Sequence, residues 1–119
     1  MCDDEDVVMD LKTEAQDDVL IVRAMDARID AAGAIQFKEK MREICQNPLP
    51  RVMLDLSRVS FLDSSGLGAV VSVMKLLGPA RRLELAALTP TVAKVFRLTR
   101  MDTVFTIHDA VPDGSFPAV

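Results

Sequence analysis

Apolar and polar positions along this chain fall into runs whose period changes several times. Val7 to Leu11 and Val19 to Met25 are short apolar runs on either side of the polar stretch Thr13 to Asp18, which predicts two strands and a turn. From Ala31 to Gln46 the period becomes helical. Ala34, Phe37, Met41, Ile44 and Cys45 recur on one side, with Lys38, Glu39, Lys40, Arg42 and Glu43 on the other. Asp30 stands where an N-cap belongs, and Asn47-Pro48-Leu49-Pro50 stops the helix. Arg51 to Leu56 is the clearest strand, followed by Ser57 to Asp63 as a connection.

Ser64 to Leu77 predicts a second helix, with Leu67, Val70, Val71, Met74 and Leu77 along one face and Gly78-Pro79 after its end. Val73 and Leu76 carry apolar character nearly all round it. It is therefore either deeply buried or leaves a patch free for docking. Arg82 to Leu88 is a strand, and Thr89-Pro90 opens a third helix running to about Arg100 that buries Val92, Val95, Phe96 and Thr99. Thr103 to Ile107 makes a last strand. The order from Arg51 onward, with short loops and crossover helices, implies parallel strands joined by right-handed crossovers, whereas the first two strands form a hairpin. The fold class is α/β: a single mixed sheet with helices packed on it. Residues 1–6 read as an acidic flexible lead-in, 7–110 as the domain and 111–119 as a loose tail.

Composition narrows the function classes. At 119 residues the chain is one domain with room for a genuine core. It has no Trp or Tyr and five Phe, so that core is built from Val, Leu, Ile, Ala and Met. The longest apolar stretch, Gly66 to Leu77, is broken by Ser72 and Lys75 and is too short to span a membrane, and no signal sequence opens the chain. The expected location is cytoplasmic. Cys2 and Cys45 lack any paired spacing, which excludes a disulfide framework or thiolate metal site, and no cofactor is implied. Residues 1–18 hold eight of the chain's 18 acids against one of its 14 bases, so the remainder is mildly basic. Scattered bases with few aromatics leave no nucleic-acid footprint.

The chemistry concentrates in Leu54-Asp55-Leu56-Ser57-Arg58-Val59-Ser60-Phe61-Leu62-Asp63-Ser64-Ser65-Gly66-Leu67-Gly68. Two adjacent hydroxyls, preceded by a carboxylate, stand at a loop-to-helix junction. A helix N-terminus offers unpaired N–H groups and the positive end of the macrodipole, which favour a phosphate. Gly66 and Gly68 leave room for one. The same residues also suit a plain Ser or Asp cap with glycines chosen for tight packing.

The run from Asp55 to Gly68 resembles the signature of bacterial anti-sigma factor antagonists, members of the STAS family. The likeness continues through Leu85 to Leu98, reaches weakly to Val104-Phe105 and back to Ala27-Arg28-Ile29-Asp30, and covers about residues 7–108. It implies that Ser64, after Asp63, is the serine phosphorylated by a partner that is both kinase and anti-sigma factor. It also implies that Asp30 lies near that site, with Asp30, Asp63, Ser64, Ser65 and Gly66 on the partner-binding surface. Ala27 and Ile29 depart from the family's Gly-x-Leu-Asp pattern. The implied function is an anti-sigma factor antagonist: unphosphorylated, it binds the anti-sigma kinase and releases the sigma factor, phosphorylation reverses this, and a serine phosphatase resets it. A STAS scaffold or a partner switch with a non-sigma output is the alternative. An enzyme with Ser64 or Ser65 as nucleophile and His108 as base lacks the Gly-x-Ser-x-Gly elbow. A nucleotide site at Ser64 to Gly68 lacks a third glycine and any Gly-Lys-Ser/Thr.

Overall fold

Ten elements account for most of residues 10–47 and 49–110, the residues described by the computed structural model. In chain order they are β1 (Leu11–Gln16), β2 (Val19–Ala24), β3 (Arg28–Ile29), α1 (Ala31–Ile44), β4 (Arg51–Asp55), β5 (Phe61–Leu62), α2 (Ser64–Leu77), β6 (Arg82–Ala86), α3 (Pro90–Leu98) and β7 (Thr106–His108). A 3₁₀ turn, Met101–Thr103, precedes β7. The main sheet has the order β1-β2-β4-β6-β7. β1 runs antiparallel to β2, and every later pairing in the sheet is parallel. The mixed α/β sheet expected from the pattern is therefore present.

Alternation along the strands gives the sheet two unlike faces. Leu20, Val22, Val52, Leu54, Leu83 and Leu85 point to one side. There they form a single core with Phe37 and Met41 of α1, Val70 and Val73 of α2, and Val92 and Phe96 of α3. With strand order advancing steadily across the sheet, right-handed crossovers put all three helices on that side. The opposite face holds Val19, Ile21, Met53 and Ala86 as a separate small cluster.

Four expectations change. The predicted strand Val7 to Leu11 falls largely outside the described residues, and β1 instead occupies Leu11–Gln16, across the stretch expected to be a turn. An edge strand with a wet face accepts Lys12, Thr13 and Glu14, so hydrophobicity did not mark it. The turn itself shrinks to Asp17-Asp18, with Asp17 at φ 55, a left-handed conformation that Asp tolerates. β3 and β5, two residues each and paired in parallel, lie in segments expected to be connections and are too short for any periodic signal. Thr99 is exposed rather than buried. Its hydroxyl donates to the Val95 carbonyl at 2.7 Å, and Arg100 at φ 65 ends the helix beyond it. The expected strand Thr103 to Ile107 begins later, at Thr106, because the 3₁₀ turn takes up Met101–Thr103.

Candidate functional site

α2 begins on the residue the motif singles out. Asp63 is its N-cap, extended at φ −100 and ψ −172, and its Oδ1 accepts from the Gly66 N–H at 2.9 Å. The capping is thus done by the carboxylate and not by either serine. Ser64 and Ser65 follow as the first two helical residues, both exposed. Helix geometry leaves their N–H groups without intrahelical acceptors, at the positive end of the macrodipole.

Of the two tasks the sequence suggested for the glycines, Gly66 takes the second, tight packing. It is buried, and a Cβ there would stand 2.1 Å from the Ile29 carbonyl oxygen and 2.8 Å from Leu62 Cδ1. Its bareness lets the first turn of α2 press against the backbone of β3. Gly68, by contrast, faces open space.

That close approach brings Asp30 to the site. β3 and β5 pair Arg28 with Phe61 and Ile29 with Leu62. The next positions are Asp30 and Asp63, so the two carboxylates start neighbouring helices side by side. Asp30 caps α1 through Gly33 N–H, 3.3 Å from its Oδ1, while its Oδ2 takes the Arg28 Nε at 3.2 Å. The Arg28 guanidinium first, and the Gly33 amide second, hold the Asp30 carboxyl below the usual carboxylate range. Substitution of the Gly-x-Leu-Asp pattern leaves this geometry intact. Ile29 is fully buried, and the Ala27 carbonyl accepts from Ser60 N–H at 2.8 Å and Phe61 N–H at 3.1 Å. Asp30, Asp63, Ser64, Ser65 and Gly66 therefore lie in one neighbourhood.

Arg28 has no task in the sequence pattern. In the structure it stacks over the Phe61 ring, 4.3 Å from the centroid, as well as pairing with Asp30. The two residues are far apart in the chain and meet only across a pair of strands, so the contact has no linear signature. Two further motif residues are structural. Asp55 accepts from Ser57 N–H at 2.9 Å, shaping the turn after β4. Thr89 sits at the N-cap of α3, but its hydroxyl donates to the Val59 carbonyl at 2.7 Å instead of closing that cap. His108 is remote from this chemistry: its Nε2 lies 2.8 Å from Glu84 Oε1 on the sheet face away from the helices.

Comparison with known proteins gives the same picture over most of the chain. The profile of the STAS domain matches residues 10–114. A candidate anti-sigma factor antagonist of Bordetella bronchiseptica, BtrV, is 28% identical over 94 residues, spanning 78% of this chain and 81% of BtrV. The crystal structure of an anti-sigma factor antagonist from Mycobacterium paratuberculosis superposes with a TM-score of 0.78 at 25% identity, covering 93% of both chains. The Bacillus cell fate determinant SpoIIAA, in its phosphorylated form, superposes with a TM-score of 0.66 at 25% identity, covering 93% of this chain and 98% of its own.

Proposed function

The chain belongs to the STAS domain family, and from that premise we propose that it is an anti-sigma factor antagonist whose partner exchange is set by phosphorylation of Ser64. One observation carries this reading. Ser64 is exposed at the start of α2 and has no share in capping it, because Asp63 does that work. Its hydroxyl is free for a kinase, and a phosphate there would be supported by the amides and dipole of the helix.

The phosphate would add about −1.5 to −2 charges. It would do so beside Asp63 and Asp30, in a surface that already carries two carboxylates. Docking on a partner desolvates these groups, so the added charge costs most in the complex and little in the free protein. Unphosphorylated, the protein binds an anti-sigma factor with serine kinase activity and frees the sigma factor. Phosphorylated, it lets go, and a serine phosphatase restores it. No covalent chemistry by this chain is required.

Ser64→Ala tests the acceptor. The variant is expected to take no phosphate from the cognate kinase and to bind it still. Mass spectrometry placing the phosphate of the wild-type protein on Ser65 or Ser60 would overturn the assignment.

A further inference from the structure

The apolar pattern of α2 allows either deep burial or an exposed patch at Val73 and Leu76, and the structure divides the two. Val73 is 1% exposed and Leu76 49%. α1 and α2 start side by side and pack against each other, so positions at equal distances from their caps stand level. Lys38 and Arg42 of α1 thus come level with Ser72, Lys75 and Leu76 of α2. Together they bound an open groove of about 290 Å³ that has Val73 as its floor. Ile35, 62% exposed, falls on the same stripe of α1 as Lys38 and Arg42. Ile35 and Leu76 are the large apolar side chains that the two helices expose among the described residues, and both stand on this seam.

The walls of the groove are basic. Lys38, Arg42 and Lys75 line it, and no Asp or Glu among the described residues does. None of these three cations takes part in an ion pair among the described residues. Glu39 and Glu43 stand about 100° further round α1 from Lys38 and Arg42 and turn out to solvent. The starts of the same two helices carry the opposite charge, on Asp30 and Asp63. Ser64, Ser65, Gly68, Ser72, Lys75 and Leu76 form one exposed track along α2. It runs from a carboxylate pole to a cationic one, about 18 Å along the helix. A standard interface takes about 800 Å² from each partner, a patch roughly 30 Å across, so one partner can cover both poles.

We propose that this groove is a second docking site for the anti-sigma kinase of the function proposed above, on which the inference rests, and that it receives an acidic segment of that partner with an apolar side chain at its centre. Carboxylates of the segment pair with Lys38, Arg42 and Lys75, and the apolar group covers Leu76 over the Val73 floor. A neutral apolar segment would desolvate three cations with nothing to compensate them, which is costly. The two poles also fix which way the partner lies. Turned end for end, it would set its acids against Asp30 and Asp63.

The experiment is a sedimentation titration of the cognate anti-sigma kinase, its nucleotide bound, against wild type, Lys38→Glu, Arg42→Glu, Leu76→Ser and Lys12→Glu, with thermal melts in parallel. Lys12 lies on the edge strand β1, and its reversal makes the same change of net charge away from the groove. Lys38→Glu and Arg42→Glu are each expected to bind about tenfold more weakly than wild type, and Lys12→Glu within about twofold of it. Leu76→Ser is expected to lose affinity as well, and it decides the matter should either charge variant melt early. Groove variants that melt and bind as Lys12→Glu does, while phosphorylation of Ser64 still releases the kinase, would overturn the groove and leave the proposed function standing. Loss of self-association in place of loss of kinase binding would give the groove to a second copy and overturn the proposal too. A wild-type protein that does not bind the kinase at all would instead overturn the proposed function, and this inference with it.

Discussion

At the scale of single residues, the two glycines of the motif separate in role although they look alike in sequence. Gly66 has no room for a methyl group, because the Ile29 carbonyl is backbone and cannot swing aside. Gly66→Ala is expected to cost about 1–3 kcal/mol, a fall of roughly 5–15 °C in melting temperature. Gly68 lies in the same helix, and a methyl group added there would have nothing within 4 Å, so the backbone entropy of glycine is a pure loss. Gly68→Ala is expected to stabilise by about 0.5–1 kcal/mol. Circular-dichroism melts of the two variants check both signs. A Gly66→Ala protein that melts with the wild type would refute the tight seating of α2 on β3. Asp63 was legible as a cap candidate from its place before a helix. Its choice over Ser64 was not, because Asp and Ser are equally good caps and only geometry decides between them.

At the scale of elements, what the sequence disclosed depended on how much apolar area each element buries. α2 was legible to the residue, Ser64–Leu77, since its apolar run is long and ends at Gly78 with φ 75. Which side it buries was not. The structure buries Ala69, Val70, Val73 and Leu77, leaves Leu67, Val71 and Met74 half-buried, and exposes Leu76. β1, β3 and β5 were invisible for the opposite reason: they bury little, and their existence rests on pairing with distant strands. The ion group joining β4, β6 and β7 was equally hidden, as Arg51, Glu84 and His108 are far apart in sequence.

That group has a pH signature. The Arg51 guanidinium, with His108 contributing, holds the Glu84 carboxyl below the usual glutamate range. A depressed carboxyl adds stability that is complete above the unfolded value and is lost as pH falls through the folded one. The stability gap between wild type and Glu84→Gln is therefore expected to be widest near neutrality and to narrow as pH falls below about 4.5. Denaturant titrations at a series of pH values measure it, and a gap that stays constant from neutral to acid would show that Glu84 does not act through its charge.

At the scale of the whole molecule, several acids of the chain's entry are tied into the sheet. Residues 1–6 lie outside the described residues, but Glu14 bonds Arg23 at 3.0 Å and Asp18 stands 3.8 Å from Arg51, so those acids belong to the domain. No described helix is long and apolar enough to cross a membrane. The domain has two unlike sides. The helix starts at Asp30 and Asp63 leave Ser64 exposed, and the far face of the sheet is knitted by ions and an apolar floor. Charge placed at Ser64 should therefore act on binding with little effect on folding. A carboxylate at the first position of a helix is neutral or stabilising by a few tenths of a kcal/mol.

The most direct test of that account is a titration of wild-type, Ser64→Asp and enzymatically phosphorylated protein against the anti-sigma kinase with its nucleotide bound, with thermal melts in parallel. The expected result is a loss of affinity of about a hundredfold for the phosphorylated protein, or roughly 3 kcal/mol, and a smaller loss for Ser64→Asp, which carries about half the charge. All three should melt within about 3 °C of one another, less than 1 kcal/mol apart. If all three bind the partner equally tightly, charge at Ser64 is not the switch and the partner-exchange mechanism is wrong.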